Sequence, residues 1–327
     1  MEEKNNSKKI LWIILAILIL TGLSIGGYFI YKKQVNVTEK ASLSPSPDSS
    51  SSSAPKVSSK NNPNGPYYHQ IYSATSADGL TWTKQNKMLF DHASVPGAVI
   101  KNDKIYLYFV DASGDEDQLS VVMSTDNGKT FSEKQKVKVQ DTPTYSVIDP
   151  HPQLIDGKIR LYYFSNPMSP NGIEAKTFKM YSATSNDGVN FDDPKVAFES
   201  SEIITDPDVF QTDTDWRMFI SKGQKLVLSI STDGGITFRE DENFSWNKGG
   251  VCDTIKMGED YRTYFCGQGG ISSALGAESG KLLVEESTRI ESDKDQIICD
   301  PSVIKLQDGT YLMFYKVNKP NQQSNPS

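Results

Sequence analysis

Residues 72–82 read YSATSADGLTW, and residues 181–191 repeat this phrase almost letter for letter as YSATSNDGVNF. Residues 124–131 (STDNGKTF) and 231–238 (STDGGITF) keep the same order of a strand end, an Asp/Gly turn and an aromatic. An Asp carboxylate accepts hydrogen bonds from N–H groups of its own turn, Gly supplies a positive φ, and the aromatic restarts a packed strand. The phrase therefore predicts a β-hairpin that recurs along the chain for structural reasons.

The period of this repeat indicates the architecture. Its turn glycines, with a weaker copy at the end, lie 45 to 60 residues apart at Gly79, Gly128, Gly188, Gly235 and Gly280. Such a period is typical of propeller blades or of solenoid rungs.

A second recurring element, a short apolar strand, precedes each turn phrase. Three copies open with Asp-Pro, at Asp149, Asp206 and Asp300, whereas Val95-Pro96 and Cys252-Asp253-Thr254 stand at the other two openings. Each opening is followed by a partner strand after a short turn. Alignment on residues 96, 150, 207, 254 and 301 gives five units, and each opening hairpin plus the next turn phrase makes four strands.

The two ends of the repeat region complete each other. The chain enters at residues 67–88 with a turn-phrase hairpin alone, and the last unit has only its opening hairpin, residues 299–316. We therefore predict an all-β, five-bladed β-propeller over residues 67–318, closed by pairing of the N- and C-terminal strands in one sheet. A linear solenoid is the less favoured alternative, because it would leave each half-repeat uncapped.

The front of the chain predicts attachment to a membrane. Residues 10–31 contain no charge over 22 positions, which suits one transmembrane helix. A cleaved signal peptide is the alternative, but neither an Ala-x-Ala-like site nor a lipid-accepting Cys follows. We expect residues 1–9 to be a short cytoplasmic tail, 32–66 a disordered Ser/Pro-rich linker and 319–327 a disordered tail. The protein is then a single-pass protein of the cell membrane with an extracytoplasmic propeller.

Charge and cysteine content restrict the partners. Residues 1–66 carry eight Lys and four acidic residues, so the remaining chain contributes −11 to the total of −7. Nucleic acid is therefore not an expected partner. Cys252 and Cys266 are equidistant from the turn at residues 258–260 and predict either a cross-strand disulfide or free thiols, while Cys299 matches Cys252 in the next repeat and competes for the pairing.

The turn phrases at 124–131 and 231–238 resemble the Asp-box of sialidases and other BNR-repeat propellers. The five units and the Asp-Pro openings resemble the five-bladed glycoside hydrolases of the arabinanase, xylosidase and fructosidase type, over about residues 67–318. Sialidase activity is not implied, because the chain lacks the Arg-Ile-Pro motif, and its arginines show no convergent triad.

The five-bladed hydrolases use an Asp in the first blade, an Asp in the next and a Glu in the third as base or nucleophile, orienting residue and general acid. In this chain Asp149 and Asp206 match the Asp-Pro openings and are the expected catalytic pair. Val95 stands where the first Asp belongs, the third unit has no Glu-Gly-Pro, and Glu202 lies four residues before Asp206. The resemblance thus implies either a glycosidase or a propeller that has lost the acid.

Equivalent positions in different blades form a ring about the axis. We expect Asp149, Asp206, Asp253 and Asp300 to form it, either as acid/base groups with separated pKa values or as acceptors for backbone N–H groups. His92, His151 and Asp208 lie beside these openings and join Asp253 and Asp300 as expected substrate-binding residues. No cofactor is predicted, although the oxygen ligands would suit Ca2+ on the axis. The predicted function is action on a neutral carbohydrate. The protein is either a glycoside hydrolase or, as the alternative, a non-catalytic carbohydrate-binding or adhesion propeller.

Overall fold

The computed structural model describes residues 58–143, 146–165, 177–277, 282–293 and 296–318. These residues form β-strands and one short 3-10 helix, Pro66–Tyr68. The predicted membrane segment 10–31 and the tail 319–327 lie outside the described residues. No helix within the described part of the chain is long and apolar enough to cross a membrane.

The strands form five sheets, and each sheet is one blade. In the description of each blade below, the innermost strand is given first. Blade 1 consists of β3 (Ala93–Lys101), β4 (Lys104–Asp111), β5 (Gln118–Ser124) and β6 (Gln135–Lys136). Blade 2 consists of β8 (Val147–Ile155), β9 (Lys158–Ser165), β10 (Phe178–Ser185) and β11 (Asn190–Ser200), with β7 (Lys138–Val139) added parallel to β11.

The other three blades follow the same plan. Blade 3 consists of β12 (Thr205–Gln211), β13 (Trp216–Lys222), β14 (Lys225–Ser231) and β15 (Arg239–Glu240). Blade 4 consists of β16 (Gly250–Met257), β17 (Asp260–Gly267), β18 (Gly270–Ala277) and β19 (Leu282–Glu291). Blade 5 consists of β20 (Ile297–Lys305), β21 (Tyr311–Asn318), β1 (His69–Ser76) and β2 (Thr83–Asp91).

Both ends of the propeller meet in blade 5. Strand β1 pairs antiparallel with β21 from His69 opposite Asn318 to Ser76 opposite Tyr311. The innermost strands β3, β8, β12, β16 and β20 contact one another in this order, and β20 contacts β3. The predicted five-bladed propeller and its closure by the terminal strands are confirmed.

Apolar packing lies between the blades. Five hydrophobic clusters each combine residues of two adjacent blades, as when Phe109 of blade 1 packs with Phe314 of blade 5. Trp246 is buried between blades 3 and 4. Burial at every boundary makes each blade depend on its two neighbours.

The repeated turn phrase joins neighbouring blades. In its first copy Asp78 Oδ1 accepts the N–H groups of Leu80 and Thr81 at 2.8 and 2.7 Å, as the sequence predicted. The carbonyl of Gly79 then accepts the hydroxyl of Tyr264 from blade 4 at 2.6 Å. Tyr108 and Tyr162 make the same bond to the carbonyls of Gly188 and Gly235.

Replacing Tyr264 by Phe is expected to lower the free energy of unfolding by about 1 kcal/mol, because the buried Gly79 carbonyl loses the closer of its two donors and keeps only Trp82 Nε1 at 3.1 Å. Phe219 and Phe314, in line with Tyr264 in blades 3 and 5, show that the ring alone fits. The measurement is urea unfolding of the full chain. Tyr181→Phe, which removes a half-buried hydroxyl without a hydrogen bond in the described structure, is the control and should change stability by less than about 0.5 kcal/mol.

Candidate active site

Each innermost strand is interrupted at the same place. One residue adopts a left-handed backbone with φ between 49° and 52°, and the pairing with the second strand shifts there. These residues, which we name the first layer, are Val95, Asp149, Asp206, Val251 and Asp300. A left-handed backbone costs roughly 1–3 kcal/mol at a residue other than Gly, and such strain concentrates at functional sites. All five residues line one axial cavity of about 30 Å³, the size of one or two water molecules.

The fourth blade corrects the predicted ring. Asp253 was expected beside Asp149, Asp206 and Asp300, but Val251 holds that position. The irregularity in β16 falls between Gly250, opposite Cys266, and Cys252, opposite Phe265. Cys252 therefore matches the prolines of the other blades, and Asp253 lies two residues beyond the first layer.

A second layer follows two residues after the first, and its side chains tie each blade to the next. It consists of Gly97, His151, Asp208, Asp253 and Ser302. Asp208 Oδ1 accepts the N–H of Thr254 at 3.1 Å, and Asp253 Oδ2 accepts that of Val303 at 2.6 Å. Ser302 Oγ accepts the N–H of Ala98, and His151 Nε2 lies 2.9 Å from the carbonyl oxygen of Val209.

Gly97 is the exception in the second layer. A Cβ atom at this position would lie 2.0 Å from the carbonyl oxygen of Pro150 and 2.9 Å from Cδ of Pro152. Pro152 has no N–H to offer, so no side chain is needed at position 97. Blades 1 and 2 therefore meet backbone against backbone.

Gly97→Ala is expected to destabilise the propeller by about 2–3 kcal/mol, because backbone must move to admit the methyl group. Gly114→Ala is the matched control, since its Cβ would meet nothing closer than 3.8 Å. Thermal unfolding of the two variants compares them directly. Equal stability would contradict the close approach of the blades.

Asp149, which is buried, and Asp206, which is half-buried, form a carboxyl pair in the first layer. Asp149 is 9% exposed, and its Oδ2 accepts the N–H of Asp206 at 3.3 Å. Burial and then the Asp206 charge raise the pKa of Asp149 well above its usual range, and burial followed by Asp300 raises the pKa of Asp206 to about 6. The pair therefore holds a proton near neutral pH, which is the state needed for one acid and one base.

Asp300 is paired with a lysine that the sequence did not indicate. Lys316 Nζ lies 2.8 Å from Asp300 Oδ2, and both side chains are largely buried. Burial alone would lower the pKa of Lys316, but Asp300 outweighs it and the pKa is raised. Lys316 thus stays charged, and it lowers the pKa values of Asp149 and Asp206.

Lys316→Met is expected to raise the pKa of Asp206 above about 6, because the variant removes a cation that favours the ionised carboxylate. The carboxyl carbon shift of Asp206, followed by NMR during a pH titration, measures this. Lys136→Met, the control, changes an exposed lysine of β6 and should leave the pKa of Asp206 unchanged. A lower or unchanged pKa in Lys316→Met would show that this ammonium does not act on the pair.

Lys316 differs in its surroundings from the equivalent residues of the other four blades, and only the folded structure shows this. Its equivalents on the second strands are Val110, Phe164, Ser221 and Cys266. Ser221 Oγ accepts the N–H of Val251, and Cys266 Sγ accepts that of Asp300, each in the next blade. The only sequence signal was a lysine inside the otherwise apolar strand β21. His69, which the sequence also did not indicate, lies beside Asp300 and Lys316. Its Nδ1 is 2.8 Å from Ser94 Oγ, and burial lowers its pKa to about 4.

The predicted substrate-binding residues separate into three groups. Asp300 lies in the first layer, whereas His151, Asp208 and Asp253 belong to the second. His92 is not in the lining of the axial cavity that the structure describes; its ring stacks on Tyr67 at 4.0 Å between centroids. Glu202 is exposed and pairs with Lys222.

His151, Asp208 and Asp253 are the residues that could hold a metal ion on the axis, since their ligand atoms lie within 4.8 Å of one another. Asp208 Oδ1 and Asp253 Oδ2 already accept backbone N–H groups. Three atoms, one of them nitrogen, are few for Ca2+, which takes six to eight oxygens, and resemble the ligands of a transition metal more closely.

The cysteines also differ from the expectation. Cys266 is bonded to Cys299, with Cα atoms 5.0 Å apart, and Cys252 is a buried free thiol. The predicted alternative of a cross-strand disulfide between Cys252 and Cys266 is wrong, because the shift in strand pairing at Val251 places Gly250 opposite Cys266. The disulfide instead joins blade 4 to blade 5 beside Asp300.

The sequence matches no protein-family model and no curated protein. Its structure is similar to that of a thermostable family-43 glycoside hydrolase, with a TM-score of 0.55 and 14% identity over 70% of this chain and 89% of that one. The GH43 protein BlXynB from Bacillus licheniformis gives 0.53 and 15% over 71% of this chain, which spans only half of BlXynB.

The α-L-arabinofuranosidase PaAbf62A from Podospora anserina, solved with cellotriose, gives a TM-score of 0.52 and 10% identity over 76% of this chain and 98% of that one. At such identities the likeness concerns the fold. This chain therefore has the five-bladed propeller fold of glycoside hydrolases, as the Asp-Pro openings and the count of blades predicted.

Proposed function

We propose that this protein acts on a neutral carbohydrate through the axial pair Asp149 and Asp206, as a glycoside hydrolase. The observation that carries the proposal is the hydrogen bond from the Asp206 N–H to the buried Asp149 carboxyl, which places the two side chains close enough for the Asp206 charge to raise the pKa of Asp149, while the pKa of Asp206 is raised to about 6. One protonated carboxyl can donate its proton to the leaving oxygen while its ionised partner stabilises positive charge on the sugar or activates water. Fold similarity to hydrolases that act on glycans supports the same substrate class.

Asp206 is the better general acid of the two. It is half-buried at the start of β12, whereas Asp149 is nearly enclosed behind it. A proton must reach the glycosidic oxygen directly or through one water molecule, so the more accessible carboxyl suits this role. The two carboxyls share one proton, which Asp206 is placed to pass to the substrate, and Asp300 with Lys316 sets the local charge.

A non-catalytic carbohydrate-binding or adhesion propeller is the second candidate. Val95 and Val251 fill two of the five first-layer positions, and no Glu of the described chain lies in this layer. A site with fewer carboxylates still offers hydrogen-bond acceptors to sugar hydroxyls. Binding then survives although hydrolysis is lost.

The proposal includes anchoring to the cell membrane by residues 10–31, with the propeller outside the cytoplasm. The apolar segment supports the anchor. The Cys266–Cys299 disulfide supports an oxidising compartment. Protease treatment of intact cells tests the orientation: release of the propeller is expected, and full protection would contradict it.

The test of function is incubation of the full-length protein with aryl glycosides and with plant and microbial polysaccharides, followed by chromatography of released sugars and by binding measurements. Sugar release supports the hydrolase. Binding without release supports the second candidate. Neither release nor binding across the panel would contradict both.

A further inference from the structure

A second cavity opens on the axis beyond the second layer, at the end opposite the first-layer carboxylates. It has a volume of about 350 Å³, within the range of small-molecule sites, and we name it the far well. Its lining comes from residues of all five innermost strands, two to five positions after the first layer, and from Tyr261 of β17. The far well shares His151 and Asp253 with the first-layer cavity but is not lined by Asp149 or Asp206.

The walls of the far well combine apolar and polar surface, and two lysines lie at its rim. Ala98, Ile100, Ile255 and Val303 contribute apolar surface, while Lys256 and Lys305 extend at the rim. Both lysines are exposed. Lys256 pairs with the exposed Asp213 at 2.7 Å, and the Lys305 ammonium lies 5.7 Å from the ring centroid of Tyr311.

A buried polar group that lines the far well is without a hydrogen-bond partner. The Tyr261 hydroxyl makes no hydrogen bond within the described residues, although the side chain is 2% exposed. A buried hydroxyl without a partner costs roughly 1–3 kcal/mol, so a ligand oxygen that accepts from it would remove this penalty.

The acidic group in the far well does not exclude an anion. Asp253 and His151 form its inner end, where His151 Nδ1 lies 3.6 Å from Asp253 Oδ1. Asp253 Oδ2 accepts the N–H of Val303 at 2.6 Å, which holds this carboxyl at the inner end and away from the opening. The charged groups near the opening are the Lys305 ammonium and the Lys256 ammonium, the latter paired with Asp213.

We infer that the far well binds a small organic anion, a carboxylate with a compact apolar body. The carboxylate would lie between Lys256 and Lys305 within reach of Tyr261, and the apolar body would fill the space between Ala98, Ile255 and Val303. The ammonium groups and the hydroxyl are the donors that a carboxylate needs, and the apolar side chains of the wall offer a surface to the hydrocarbon body.

Calorimetric titration of the full-length protein in lipid nanodiscs tests this with three ligands of equal size: cyclohexanecarboxylate, cyclohexanecarboxamide and cyclohexylmethylammonium. The carboxylate is expected to bind at least about tenfold more tightly than the amide, because charge-assisted hydrogen bonds are the stronger ones. Its affinity should fall as salt is added. Equal affinities of carboxylate and amide, preference for the ammonium ion, or no binding at millimolar concentration would overturn the inference.

Variants locate the binding. Lys256→Gln with Lys305→Gln should reduce carboxylate affinity to that of the amide, while Lys136→Gln with Lys195→Gln, on the outermost strands of blades 1 and 2, should retain it. Ala98→Leu fills the far well and should abolish binding of the carboxylate and the amide; its backbone N–H can still donate to Ser302. Unchanged carboxylate binding in the double lysine variant would place the anion elsewhere. These changes spare Asp149 and Asp206, so failure here leaves the proposed function standing.

Discussion

Asp206→Asn is expected to lower kcat/KM for sugar release by a factor of about 10²–10⁴, the usual contribution of general acid–base catalysis. Asparagine keeps the shape of the side chain and the backbone N–H that Asp149 accepts, but it has no acidic proton to donate. The measurement is release of sugar from the best substrate of the panel, followed across pH. Wild-type activity should fall as pH rises through the upper pKa of the Asp149–Asp206 pair, because the acid then loses its proton.

Glu202→Gln is the matched control for this prediction. Glu202 is the glutamate nearest to Asp206 in the sequence, but it is exposed and pairs with Lys222. Its substitution should change kcat/KM by less than about twofold. Loss of activity in Glu202→Gln with retention in Asp206→Asn would move the acid to Glu202 and contradict the axial pair.

The same carboxyl should make folding stability depend on pH. Its pKa is about 6 in the folded chain and about 4 in an unfolded one. A raised pKa means that the folded state binds the proton more tightly. The contribution of Asp206 to the free energy of unfolding is therefore fully present below pH 4 and is lost as pH rises to 6. Asp206→Asn removes it, which provides a readout that does not require a substrate.

The sequence predicted the blades because each blade repeats a local pattern. An Asp/Gly turn and a proline after the strand opening can be read from neighbouring residues, and they place Asp149, Asp206 and Asp300 at equivalent positions. The closure of the propeller could also be predicted by counting strands, since half a blade remained at each end of the repeat region. These features depend on hydrogen bonds and backbone angles within a few residues.

The errors come from one shift in register. Asp253 seemed to match Asp300 because each follows a cysteine, yet the left-handed residue of blade 4 is Val251. The same shift separates Cys252 from Cys266. A β-branched residue with positive φ gives no signal in sequence, because its backbone is imposed by the packing of adjacent blades.

Lys316 could not be predicted from local patterns. It comes to the axis through its pairing opposite Cys299, and its partner Asp300 is 16 residues earlier. A single lysine in a strand usually points to solvent. Only the ring of blades shows that this position faces the first-layer carboxylates.

Removal of the Cys266–Cys299 disulfide by the double variant Cys266→Ser, Cys299→Ser is expected to lower the free energy of unfolding by about 3.5–4 kcal/mol. The bond closes a loop with a sequence separation of 33, and the chain-entropy relation gives this size of effect at 25 °C. Denaturant unfolding of the full chain measures it. Reduction of the wild-type protein should produce the same shift, and Cys252→Ala should keep the sensitivity to reductant.

The position of this disulfide adds a local effect to the global one. Blade 5 is assembled from both ends of the chain, and the bond fixes its innermost strand to β17 of blade 4. Asp300, which follows Cys299, donates its N–H to Cys266 Sγ while its carboxylate holds Lys316. The double variant should therefore also broaden the NMR signals of Asp300 and Lys316. Unchanged stability on reduction would show that strand pairing between β1 and β21 is sufficient to close the propeller.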